Sequence, residues 1–225
     1  MRILALALAA ACAAIPQTRT MTQGAQRMEI ALERLDDGKW NGVDPGLVLA
    51  QGDRVRFRFS TNFDGYLYVM NQGTSGKSEW LFPREETGQD NRVVGGREYS
   101  VPSTASVFRI SGPAGYEVVY WLITPVRLTD APPRLGPPPT ERKAAPPTLI
   151  PRCDDTLMRS RGDCIDDSAG PRLAPRGADV PPALAQAAGQ NPNNLIVMRQ
   201  KDTAVISSPE PLTGPVIYEF RLAHK

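Results

Sequence analysis

Residues 62–83 read NFDGYLYVMNQGTSGKSEWLFP, and two folds compete for this stretch. GTSGKS resembles a phosphate-binding loop, which would call for a helix after it. The flanks GYLYVM and SEWLFP instead suggest two strands joined by a hairpin. A Walker A loop needs G-x-x-x-x-G-K-[ST] between a strand and a helix. Counting back from Gly76, Lys77 and Ser78 puts Asn71 where the first glycine must stand, and Gly73 comes two places too late. The residues after Ser78 include Pro83 and show no helical apolar stripe. The stretch therefore reads as turn, strand, polar hairpin, strand. The first turn is at Asp64-Gly65, and Lys77 is a solvated loop charge.

The same period extends outward over residues 27–124. In DRVRFRFS, Val55, Phe57 and Phe59 face one way, and Arg54, Arg56 and Arg58 the other, as in an antiparallel sheet with one face in water. GYLYVM and EVVYWLIT (Glu117–Thr124) are apolar on both faces and read as central strands. Shorter strands are expected at Met28–Leu35, Glu79–Phe82, Arg97–Val101 and Ser106–Ile110. Turn signals separate them, among them Asp37-Gly38, Asp44-Pro45-Gly46, Gly52-Asp53, Gly95-Gly96 and Gly112-Pro113. GKWNGVDPG, which holds Trp40, reads as loop.

Beyond Thr124 the composition changes. Nine prolines fall between residues 125 and 151, including APPRLGPPPTERKAAPP. Proline cannot donate to a ladder and blocks helices, so this is an extended connector. DVPPALAQAAGQ is expected to form one short helix, with Asp179 near its cap and Gly189 at its end. Strand patterns then return in NLIVMRQ, TAVIS and PVIYEFRLA, where Val216, Tyr218, Phe220 and Leu222 alternate with Glu219 and Arg221. Three short strands make a poor independent core. The expected architecture is an all-β antiparallel sandwich formed by residues 27–124 plus 194–223. Residues 125–193 form a long proline-rich surface insertion carrying a cysteine loop and the short helix.

The first residues, MRILALALAAACAAIPQ, place Arg2 before an unbroken apolar run from Ile3 to Ile15. That run fits the core of a signal peptide over residues 1–14 and is short for a membrane span. Cleavage is expected after Ala13 or Ala14. LAAAC also resembles a lipoprotein signal with Cys12 as the lipidated residue, although Leu8 sits one place too early. Export to the periplasm or envelope leaves Cys153 and Cys164 as a pair in an oxidising compartment. Ten residues separate them. A disulfide closing so small a loop stabilises by about 3 kcal/mol in the chain-entropy account.

A net charge of +2 supplies no strong field toward nucleic acid. The single histidine, His224, is next to the last residue, where fraying is expected, so histidine-based catalysis and zinc sites are disfavoured. Glu85-Glu86, Asp154-Asp155 and Asp166-Asp167 are adjacent acids of the kind loops present to water, and DDTLMRSRGDCIDD lacks the spacing of a calcium loop. No cofactor is expected. The candidate binding surface comprises Arg54, Arg56 and Arg58, which suit an anionic glycan or headgroup unless acids on neighbouring strands pair them, together with Trp40 and Trp80 as sugar-stacking candidates.

The order GDRVRFRFSTNFDGYLYVMNQGTSGKSEWLFP, DNRVVGGREYSVP, FRISGPAGYEVVYWLIT resembles the bacterial family known as domain of unknown function 4384. The resemblance covers about residues 46–124, less than half of the chain. It implies a β-sandwich module of exported or envelope-associated proteins, in some members joined to a caspase-like peptidase domain. The family brings no catalytic residues, so Asp64, Gly65, Tyr66, Leu81, Phe82 and Pro83 are taken as structural. The expected role is a non-enzymatic envelope module binding a protein or a surface polymer. Carbohydrate binding and a carboxylate-dependent hydrolase are the alternatives.

Overall fold

The computed structural model describes residues 26–74, 76–83, 90–102, 107–128, 163–174, 180–181, 184 and 195–225. They form two antiparallel sheets facing each other across one apolar core. No α-helix occurs among them. The expected sandwich is what the chain forms.

The first sheet is built on β1 (Gln26–Asp36). A two-residue turn comes next, with Asp37 at φ 49° and Gly38 at φ 78°. Positive φ at both central positions is the primed turn that matches strand twist. It folds β2 (Lys39–Val43) back onto the second half of β1. Trp40 is thus on a strand, where a loop was expected, because the Asp-Gly turn closes the hairpin without a longer connection. On the other edge of β1 lies β3 (Arg54–Thr61), with Ile30 opposite Phe59 and Leu32 opposite Phe57.

After Thr61 the chain crosses to the second sheet and enters β4 (Gly65–Gln72). β5 (Ser78–Phe82) and β6 (Arg92–Val93) share one edge of β4. β7 (Glu98–Val101) and β8 (Phe108–Arg109) return to the first sheet beside β3. β9 (Gly115–Thr124) pairs with β4 over most of its length. GTSGKS is the β4–β5 hairpin: Gly73 N–H donates to Lys77 O at 2.8 Å and Gly76, at φ 77°, to Gly73 O. A strand comes after it, so the phosphate-loop reading fails on context as well as on glycine spacing.

The C-terminal strands enter both sheets. β11 (Ile196–Gln200) and β12 (Thr203–Ser208) extend the first sheet from β1, while β13 (Val216–His224) lies in the second beside β9. β10 (Gly170–Leu173) then forms the edge beside β13. It comes from the stretch expected to be a surface insertion. GPRL carries no alternation to announce it, and the pairing comes from a neighbour outside the segment. Ile165 also reaches the core, through a bridge to Leu47. The helix expected near residues 179–189 falls almost wholly outside the described residues, as do Cys153, Cys12 and the signal segment.

The core centres on Trp121, which is fully buried. Phe57 and Phe59 meet its ring edge-on at centroid distances of 5.3 and 5.5 Å, and Tyr218 stacks on it at 6.1 Å. Rings from both sheets thus interlock, which adds to simple area burial. A second apolar cluster covers the outer face of the second sheet. Tyr68, Met70, Tyr120, Leu122 and Ile217 are sheltered there by Ala174 and Leu184, with Leu128 and Val180 packed alongside. Leu128, Ala174, Val180 and Leu184, all from residues 125–193, therefore cover a sheet face that would otherwise expose aromatic and methionine side chains.

Burial of the Tyr218 ring pushes its phenol well above the ordinary range. A tyrosine whose folded pKa is raised contributes stability below about pH 10, the unfolded value, and loses it as pH rises further. Alkaline titration followed at 295 nm should therefore show Tyr218 ionising only as the protein unfolds. A Tyr218→Phe variant should lose that late component.

Candidate functional site

The arginine ladder is an outer face of the first sheet. Arg56 Nε donates to Glu33 Oε2 at 2.7 Å, and Arg58 Nε approaches Glu33 Oε1 at 3.2 Å. Arg58 also reaches Glu98 at 3.4 Å. The strand register explains this, because Glu33 sits directly opposite Arg56 on β3 and cross-strand opposite charges attract. The Glu33 side chain is only 7% exposed, so the pairs lie where solvent screens them less. Replacing Glu33 with Ala should cost about 1–3 kcal/mol, the usual loss when a charged hydrogen bond is left unmade. A chemical denaturation midpoint that does not move would refute the ladder's structural role. Arg54 differs from its neighbours. It is exposed and faces Arg109 across the β3–β8 pair. Neither makes an ion pair among the described residues.

The two tryptophans do not form a row. Trp40 is on β2 in the first sheet, with the Arg56 guanidinium 4.3 Å over its ring. Trp80 is on β5 in the second sheet and packs against the cluster of Tyr68 and Met70. They belong to different sheets, and both are half-buried.

The DGY and LFP residues hold turns and core. Asp64 accepts from Gly95 N–H at 2.9 Å and from Arg92 at 3.2 Å. These partners hold its carboxyl below the usual range. A Cβ on Gly65 would lie 3.0 Å from the Thr124 carbonyl oxygen, so a side chain there would push on the neighbouring strand. Tyr66 packs at the margin of the outer apolar cluster. Leu81 and Phe82 are in the main core, and a cis peptide links Phe82 to Pro83.

One end of the sandwich carries a polar group that the sequence reading missed. His224 is fully buried, and its backbone neighbour on β9 is Gly115. The ladder and the Leu49 bridge remove the fraying expected of a penultimate residue. The alternation already seen in Val216, Tyr218, Phe220 and Leu222 reaches His224 when continued by two. Likewise Val119, Trp121 and Ile123 project back to Glu117. These two meet, with His224 Nε2 3.6 Å from Glu117 Oε1. Asn71 Nδ2 donates to Glu117 Oε2 at 3.1 Å. Thr74 N–H, in the β4–β5 hairpin, points to Glu117 Oε1 at 3.4 Å. The hairpin thus roofs the buried acid, and a Cβ on Gly73 would stand 2.9 Å from Glu117 Oε2.

The region after the cysteine loop is clamped by hydrogen bonds. Tyr116 O–H donates to Asp166 at 2.5 Å, and Ser168 N–H to the same carboxyl at 2.8 Å. Burial, then the bond to Asp166, raises the Tyr116 pKa. Asp166 is buried, so the Asp166-Asp167 pair is divided between a structural acid and an exposed one. Arg199 reaches Asp44 at 3.5 Å, Asp167 at 3.7 Å and the Ala169 carbonyl at 3.3 Å. A Cβ on Gly46 would fall 2.0 Å from this guanidinium and 2.8 Å from the Asp166 carbonyl oxygen. Gly46 therefore lets Arg199 tie the segment to the sandwich. Cys164 is disulfide-bonded and lies half-buried beside Val48, Ala169 and Ala223. No group of three or more His, Cys, Asp or Glu gathers among the described residues, and no helix among them is long and apolar enough to cross a membrane.

Two antiparallel sheets, a ring-filled core and an outer face of paired charges define a β-sandwich module. Residues 48–127 match the family described as domain of unknown function (DUF4384). This segment contributes β3 to β9, while β1, β2 and β10 to β13 lie outside it. No curated protein and no solved structure matches the chain.

Proposed function

We propose that this chain is an exported envelope module that binds a protein or a surface polymer and performs no catalysis. The observation that carries the reading is the Arg54–Arg109 pair. Two exposed cations stand opposite each other across a strand pair. Like charges in that position cost stability unless something anionic lies against them. Arg56 and Arg58 on the same face already have acids. An acidic protein or an anionic polymer supplies the missing charge.

Export is supported by Arg2 and the apolar run from Ile3 to Ile15. Lipidation at Cys12 would fix the module to the envelope. A Cys153–Cys164 disulfide suits the same oxidising compartment. Mass spectrometry of the exported chain under non-reducing conditions should find those two residues bridged, and alkylation of both as free thiols would refute the pairing.

The test of binding is recovery of a partner from an envelope extract, repeated with Arg54→Ser and Arg109→Ser combined. Binding that falls with the double change and weakens at higher salt is the expected result. Undiminished binding by the double variant would remove this surface from the reading.

A further inference from the structure

We propose that Arg172 and Arg221, drawn together by Glu219, form a binding site for a phosphate group on the outer face of the second sheet. The inference does not rest on the Arg54–Arg109 surface, which belongs to the first sheet.

The strand pairing builds the site. On β13, Tyr218, Phe220 and Leu222 point into the core, so Glu219 and Arg221 between them point outward. β10 sets Arg172 directly opposite Glu219. The Glu219 side chain is only 3% exposed, and Arg172 Nε approaches its Oε1 at 3.0 Å. Arg221 Nε donates to the same oxygen at 2.9 Å. A buried carboxylate needs a counter-charge, and one cation suffices. Two cations against one carboxylate leave one positive charge in excess.

Three facts point to an anion from outside the chain. First, both arginines spend Nε on Glu219, and neither makes another ion pair among the described residues. Their Nη groups are the donors that remain. Second, Arg172 Nη1 is buried and has no hydrogen-bond partner among the described residues. Buried donors are rarely left so, because the unmade bond costs the full desolvation of the group. Third, the strand neighbours bring no acid. On β9, Val118 lies opposite Arg221 and Tyr120 opposite Glu219. Tyr116, two positions further along this face, holds Asp166, whose carboxyl also accepts from Ser168 N–H and O–H.

The Arg172 and Arg221 side chains are 38% and 22% exposed, so an ion from solvent can reach both. Guanidinium planes match the oxygens of phosphate, to which they donate in pairs. A tetrahedral phosphate presents oxygens in several directions, so one group can meet both arginines at once.

The experiment uses the whole chain, nitrogen-15-labelled, at fixed ionic strength in chloride. Sodium phosphate and glycerol 3-phosphate are titrated separately while the arginine Nε–H signals are followed. Loss of a signal in Arg172→Lys or Arg221→Lys identifies it. The expected result is that both signals move together and saturate at one equivalent. Either lysine variant should bind at least about tenfold more weakly, since an ammonium keeps the charge but loses the fork. A melting curve without phosphate shows that each variant is folded. Lys77→Ser, which removes a cation elsewhere, should leave the affinity unchanged. Tighter binding of glycerol 3-phosphate names a phosphate ester as the ligand, and tighter binding of the inorganic ion names free phosphate. Shifts that follow ionic strength alone, or an affinity unchanged in both lysine variants, would overturn the site and leave the two arginines as counter-charges for Glu219.

Discussion

Trp121→Ala should destabilise the protein by about 3–5 kcal/mol, the range for deleting a large aromatic from a packed core. The ring is fully buried and contacts Phe57 and Phe59 from the first sheet and Tyr218 from its own. Its removal leaves a cavity at the point where both sheets interlock, and neighbours fixed on opposite sheets can collapse into it only partly. Marginal stability of natural domains makes a loss of this size a large share of the total. Trp121→Phe should cost clearly less. It keeps an aromatic face, and it removes an indole N–H that has no partner among the described residues, which offsets part of the lost volume. Urea denaturation of the three proteins orders them wild type, Phe, Ala. Equal midpoints for wild type and Ala would place the ring outside the core.

The family segment alone, residues 48–127, should fail to fold cooperatively. In the first sheet, β3 keeps only β7 and β8 and loses β1 along its whole other edge. In the second sheet, β9 loses β13, with which it pairs from Gly115 to Ile123. Tyr218, Phe220 and Leu222 leave the core with that strand. An open edge on a central apolar strand invites aggregation. The isolated segment should show no sigmoidal melt by circular dichroism and poorly dispersed amide resonances. A sharp transition comparable to that of the whole chain would contradict this.

Much of this architecture is legible in the sequence for identifiable reasons. Val55, Phe57 and Phe59 alternate with arginines because one face is core and the other meets Glu33 and Glu98. Asp37-Gly38 announces its turn because few other pairs accept positive φ twice. The return of the C-terminal strands comes from apolar faces that need partners. Other features stay hidden because their cause is distant in sequence. β10 forms from GPRL because β13 offers it a free edge. Trp40 joins a strand through the register of β1. Glu117 and His224 lie on the inward positions of two strands, yet a charged residue and a penultimate histidine do not look like core. Only the pairing of β9 with β13 brings them together. Arg54 looks like Arg56 and Arg58, and differs because β8 sets Arg109 opposite it.

Residues outside the family segment, the C-terminal strands above all, complete both sheets and should fold with them as one cooperative sandwich. Native-state amide hydrogen exchange on the whole chain tests it most directly, since strands of one cooperative unit open together. Amides of β13 should exchange at the same slow, global rate as those of β9, and amides of β12 at the rate of β1. Exchange of β12 and β13 that is faster by orders of magnitude, with β9 still protected, would show a dispensable tail and contradict the account.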